Sequence, residues 1–161
     1  MLPLRLSKYS ETAVASPPSC LMLLTQHRDQ SRQFFLQIWQ KYQQHIPLEP
    51  LESVILEVIL AHPEYHAYLT EEFLDKDYRP DQFEDNPFLH LGLHIAIQEQ
   101  LQTDRPEGIR TLYQTLKPHF EDIHSLEHQM MLCLAQTLLQ AQVQQTMPDE
   151  DHYLTCLKQA I

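Results

Sequence analysis

The stretch NPFLHLGLHIAIQEQ, residues 86–100, decides the fold. Asn86 followed by Pro87 is a helix start: a capping side chain, then a proline at the first helical position, where its missing N–H costs nothing. Behind it His90, His94, Ile97 and Leu101 follow at steps of four, three and four. That is the helical period, and it puts both histidines on the apolar stripe that faces a core. Gly92 sits between them. A glycine inside a helix costs about 1 kcal/mol against alanine, so it points to the close approach of a neighbouring helix or a ligand. The helix is expected to run to about Gln102.

The same period recurs on both sides. Upstream, Phe35, Ile38, Trp39, Tyr42 and Ile46 predict a helix from Gln26 to about Gln44, ended by Pro47. Pro50 opens a second helix to Ala61 whose apolar residues lie nearly all round, which predicts the central helix of the fold. His62-Pro63 interrupts it, because a residue before proline disfavours the helical region. A short helix over Tyr65–Phe73 and a polar loop over Lys76–Asp85 are expected to follow. Downstream, Arg105-Pro106 starts a helix with Ile109, Leu112, Tyr113 and Leu116 inward, ending at Pro118. Asp122 caps a long helix to about Gln145 with Met131, Leu134, Ala135 and Leu138 on its stripe. A last one begins near Pro148 and carries Tyr153, Leu154 and Leu157. No stretch reads as a strand and no solenoid period is present. The expectation is an all-α fold, a compact single-domain bundle of five to seven helices over residues 26–161. Residues 1–25, with Pro17-Pro18 and no sustained period, read as a disordered or adventitious leader, and Met22 as a true start.

Composition narrows the function. The chain of 161 residues can bury a core without staples. Two glycines leave little room for phosphate loops or dinucleotide-binding turns, so no nucleotide cofactor is expected. A net charge of −11 argues against nucleic acid and against anionic membrane surfaces. No apolar run reaches spanning length. Cys20, Cys133 and Cys156 show no CxxC spacing and read as small buried hydrophobes in a reducing cytoplasm. Esterase, P-loop and Cys–His nucleophile signatures are absent.

The chemistry lies in histidine. His62/His66, His90/His94 and His124/His128 are each spaced i, i+4. On a helix this stacks two imidazoles on one face, as a metal ion needs from a single helix. Ten histidines placed at random in this length would give about 0.6 such pairs. His124 and His128 continue into Met131, Ala135 and Leu138, so two core-facing pairs can meet across a bundle, which is how bundle-core metal sites are built. His62/His66 is the weaker pair, since Pro63 breaks the helix between them. Glu127 can complete the ligand set or serve as a base on a bound water. HSLEH at 124–128 also matches the pattern of inverted zinc peptidases, but those are large α+β proteins. Glu121 and His124 form one ExxH motif, where a ferritin-like di-iron centre needs two. Glu64 reads as a solvated helix-start charge, and His27, His45, His119 and His152 as surface residues.

Five segments carry a resemblance: HPEYH at 62–66, NPFLHLGLHIAIQEQ at 86–100, DRPEGI at 104–109, EHQMMLCLAQ at 127–136 and PDEDHYL at 148–154. Over residues 26–157 the chain resembles a small family of uncharacterised helical proteins known mainly from proteobacteria, a domain of unknown function. The resemblance implies a helical cytoplasmic protein and a start near Met22. It supplies no activity. The expected function is binding of a transition metal, zinc or iron, through His90, His94, His124 and His128, with Glu127, His62 and His66 as further candidates. Metal-assisted hydrolysis and oxygen chemistry are the reaction classes such a centre admits. The competing expectation is a non-enzymatic helical interaction module, or a homodimer, whose histidines serve packing alone.

Overall fold

The computed structural model describes residues 28–78 and 86–161. Six α-helices run through them: α1 (Arg28–Gln43), α2 (Pro50–Leu60), α3 (Pro87–Thr103), α4 (Ile109–Leu116), α5 (Ile123–Gln144) and α6 (Glu150–Lys158). Three short 3-10 turns join them: η1 (Pro63–Tyr68), η2 (Glu71–Phe73) and η3 (Lys117–His119). No strand occurs among the described residues, and the fold is compact and all-α as expected. None of the described helices is long and apolar enough to cross a membrane. The expected leader, the start at Met22, Cys20, His27 and most of the expected loop before Asn86 lie outside the described residues.

The start signals work as local chemistry requires. Asn86 accepts a hydrogen bond from the Leu89 N–H at 3.2 Å and so caps α3, with Pro87 behind it. Asp122 accepts from the Ser125 N–H at 2.7 Å and caps α5. Asp149 does the same for α6 through His152 N–H. α4 begins later than the sequence suggests, at Ile109. Asp104 adopts a left-handed conformation that ends α3, and Gly108 at φ 87° takes the capping position. The expected short helix after Pro63 is present only as the two 3-10 turns η1 and η2.

α3, not α2, is the central helix, which corrects the sequence expectation. Every residue of α3 from His90 to Ile97 is buried. α2 buries only Glu52, Ile55 and Ile59, while Leu51 is 60 % and Leu60 40 % exposed. α1 and α3 cover a single face of α2, and Leu51 and Val54 are left lining an apolar groove with Phe34 and Ile95. Glu52 is buried because it closes a capping box, accepting from Glu49 N–H at 2.9 Å and from Lys41 Nζ at 2.6 Å.

Two apolar clusters share α3. Phe88, Leu91 and Ile95 face one built with Phe35, Ile38 and Trp39 of α1, Ile55 and Ile59 of α2, and Leu69 and Leu74 of the connection. Leu93, Ala96 and Ile97 face the other, built with Ile109, Tyr113 and Leu116 of α4, the inner face of α5, and Tyr153 and Leu157 of α6. A disulfide, Cys133–Cys156, ties α6 to α5. This overturns the reading of these cysteines as free buried thiols. Their 23-residue separation carries no recognisable motif, and only the packing of α6 on α5 brings them together.

Candidate metal centre

His62 enters the site because its helix stops. Pro63 ends α2, and His62 takes a non-helical backbone (φ −124°, ψ 67°) at the break. Its Nδ1–H donates to the carbonyl of Val58 at 2.8 Å. In the neutral ring that fixes the tautomer, so the Nε2 lone pair is the one on offer. His66 goes elsewhere. Its Nε2 meets the Ile59 carbonyl at 2.8 Å, and its ring lies 4.3 Å from the Trp39 ring. The third i, i+4 pair is therefore split by the proline, and His66 drops out as a candidate ligand.

α3 and α5 supply the rest. His90 and His94 on α3 have ring centroids 5.0 Å apart, and His124 and His128 on α5 have theirs 4.1 Å apart. Across the helices His94 lies 5.2 Å from His124 and 5.1 Å from His128, and His90 lies 5.0 Å from His128. His62 is 4.5 Å from His94, 4.9 Å from His90 and 5.1 Å from His124. Five imidazoles from three segments thus form one cluster. In four of them, His62, His94, His124 and His128, one ring nitrogen of each lies within 4.8 Å of one ring nitrogen of every other. His90 touches this set through its Nε2, 3.3 Å from His62 Nε2.

Glu127 is not aimed at the centre of the cluster. Its Oε2 accepts from His94 Nδ1–H at 3.0 Å, and its Oε1 accepts from Gln98 Nε2–H at 2.8 Å. This replaces its expected part as a ligand or base: both oxygens are already engaged. What it does instead is orient His94. With Nδ1 held by the carboxylate, His94 Nε2 is the bare nitrogen, and it is buried with no hydrogen-bond partner. A carboxylate behind a histidine is the usual outer layer of a metal site. Gln98, one turn beyond His94 on α3, was not foreseen; its i, i+4 spacing from His94 is the signal that would have found it.

Three of the imidazoles are disfavoured as cations by their surroundings. Burial holds His62 below the usual imidazole range and pushes His90 down to about 3, with the neighbouring imidazoles adding to the effect. His128 is pulled to about 4 by the same desolvation and by His124 and His94. His62, His90 and His128 are thus held as neutral rings, each with one nitrogen lone pair to offer. His62 and His94 are 2 % exposed and His90 7 %, whereas His124 and His128 reach the surface. The floor of the cluster is thus buried and its roof exposed. Glu64, His45, His119 and His152 lie exposed, as expected, and Glu121 is exposed too.

No curated protein and no solved structure matches the chain. One family model does, the domain of unknown function DUF1841, over residues 27–159. That span contains all five histidines of the cluster together with Glu127 and Gln98. The chain belongs to the DUF1841 family.

Proposed function

We propose that this protein binds a transition metal ion, zinc or iron, through His62, His94, His124 and His128. The observation that carries the reading is the buried, unpartnered Nε2 of His94 within a set of four convergent imidazoles. A buried nitrogen without a partner costs about 1–3 kcal/mol, and a core that used histidine for packing alone would have satisfied it. Neutral nitrogen donors suit borderline divalent ions such as zinc, iron, nickel and copper.

His90 belongs to the same proposal as a fifth imidazole. Its Nε2–H has the His62 Nε2 lone pair as acceptor, and its Nδ1 has no partner. An ion on His62 Nε2 takes that lone pair away. His90 then keeps a favourable contact only by turning a nitrogen toward the ion. The acidic balance of the chain supports keeping nucleic acid out of this reading. The proposed setting is the cytoplasm, on composition.

The test is metal analysis of native protein purified without chelators or a metal-affinity tag. The reading expects near-stoichiometric zinc or iron, its loss in His94→Gln, and a rise in melting temperature when metal is returned to stripped wild type. Metal-free native protein whose melting does not respond to added metal would replace this function with the interaction module.

A further inference from the structure

We propose that the solvent face of α5 is the surface on which a second copy of this chain docks, forming a two-fold dimer. The inference is independent of the metal reading, because it concerns the part of the helix that lies beyond the histidines.

The face is apolar along its middle. Leu132, Ala135, Leu139 and Val143 follow at steps of three, four and four, so they form one stripe along the helix. The opposite side of α5 belongs to the core, where Met130, Leu134, Thr137 and Ala141 are buried. Leu132 and Ala135 are half-buried, but Leu139 is exposed and Val143 is 76 % exposed. Met147 is the next step of four, just past the helix end, and is 81 % exposed. Exposed apolar side chains scattered singly are ordinary; a row of them one turn apart marks a surface that meets something.

Charge says what that something is. From His128 to Pro148 the chain has no Asp, Glu, Lys or Arg, although such residues make up 20 % of the whole. The exposed side chains that flank the stripe, Gln136 and Gln142, are amides. An anionic membrane or a nucleic acid needs Lys and Arg on the face that binds it, and a partner chosen by charge needs a charge to meet. An amide both donates and accepts, so an apolar stripe edged with glutamine is complementary to itself. A two-fold interface requires this self-complementarity, since the same patch faces itself across the axis.

The net charge points the same way. Two copies at −11 each repel one another. An uncharged face lets them meet with the least like charge in contact, and depletion of charge is the mark of an interface core. The stripe from Leu132 to Val143 covers about 16 Å of helix. A seam of one helix per copy falls among the small interfaces, below about 1,200 Å², which associate reversibly. The dimer therefore forms at high concentration and parts on dilution.

Sedimentation velocity on the full chain, from about 1 μM to about 1 mM, tests this. The expected result is a reversible monomer–dimer equilibrium within that range. Leu139 is the middle of the stripe between Leu132 and Met147, so it meets its own copy whether the two helices run parallel or antiparallel. Leu139→Glu and Leu139→Lys each set like charges across the axis and should weaken pairing at least about tenfold. Mixed in equal amounts, the two variants should pair again, because opposite charges now face each other. Val143→Glu alters a side chain that touches little of its own chain and should also part the dimer. Circular dichroism with unchanged helix content shows that each variant is folded. Leu51→Glu, in the apolar groove between α1, α2 and α3, should leave the dimer intact. A wild type that stays monomeric throughout would overturn the self-pairing and leave the stripe to a partner of another sequence. Folded Leu139 or Val143 variants that pair like wild type, a mixture that does not associate, or dissociation by Leu51→Glu would overturn the assignment to α5.

Discussion

Replacing Glu127 by glutamine separates a carboxylate that serves a metal from one that merely fills the core. Its two oxygens each accept from a different donor, His94 Nδ1 at 3.0 Å and Gln98 Nε2 at 2.8 Å, with only 11 % of the Glu127 side chain exposed. Glutamine has nearly the same volume but one acceptor and one NH2 group. Its oxygen can serve one of the two donors, and its NH2 then faces the other. The part-buried Gln98 amide can turn its own oxygen to that NH2, so what is lost is the charge-assisted part of the two bonds, and the metal-free variant should be about 1 kcal/mol less stable in urea unfolding. The second effect is independent of the first. Loss of the carboxylate behind a ligating histidine lowers metal affinity about 10–100-fold, or about 1.4–2.7 kcal/mol. Zn2+ affinity is read by competition with a chromophoric chelator at fixed pH. A variant destabilised as expected that still holds zinc at wild-type affinity would refute the reasoning, because His94 would then not be a ligand whose orientation matters.

Three further expectations follow from the same geometry. His62→Gln should abolish metal retention in elemental analysis, whereas His66→Gln should keep the metal and lose only about 1 kcal/mol, the value of one hydrogen bond; equal losses would mean the wrong member of the pair has been assigned. In the metal-free protein His90 is held at about 3 and His128 at about 4, both below the ordinary 6.5. The unfolded chain therefore takes up protons first as pH falls, so this stability is complete above about 6.5 and is lost between about 6.5 and 3–4; urea midpoints that rise on acidification in that window would contradict the neutral cluster. Reduction of Cys133–Cys156, which closes a 23-residue separation, should lower stability by about 3 kcal/mol on loop-entropy grounds, and an unchanged midpoint with dithiothreitol would show that α6 docks on packing alone.

The helices were legible because their signals are local. Asn86-Pro87 and Asp122 are capping chemistry within four residues, and the stripes of α3 and α5 need only the helical period. That the His90/His94 and His124/His128 pairs meet was legible from their spacing, but only His90 and His94 are buried; His124 and His128, expected to face the core, lie exposed in the first turns of α5. What the sequence hid depends on contacts far along the chain. α2 looks central by composition, yet the number of neighbours that cover a helix is not written in its own residues. His62 and His66 looked like a weak equal pair; Pro63 turns one inward and leaves the other against Trp39. Glu127 looked like a ligand because it stands three residues after His124, but it reaches across to His94 on α3, a partner 33 residues away. The pairing of Cys133 with Cys156 likewise waits on the docking of α6.

The sharing of α3 between two apolar clusters bears on how the molecule comes apart. One cluster is built with α1 and α2, the other with α4, α5 and α6. The histidines straddle that seam: His62 comes from the end of α2, His124 and His128 come from α5, and His90 and His94 sit on the helix between. An ion held by all three segments is a clasp across the seam. Without it, each half can open by its own local equilibrium, and backbone amides of α1 and α2 can exchange with solvent at a rate distinct from those of α5. With it, neither half can leave without surrendering the ion, and the two fall into a single cooperative unit. Metal occupancy would then set the number of steps in which this chain unfolds as well as how stable it is.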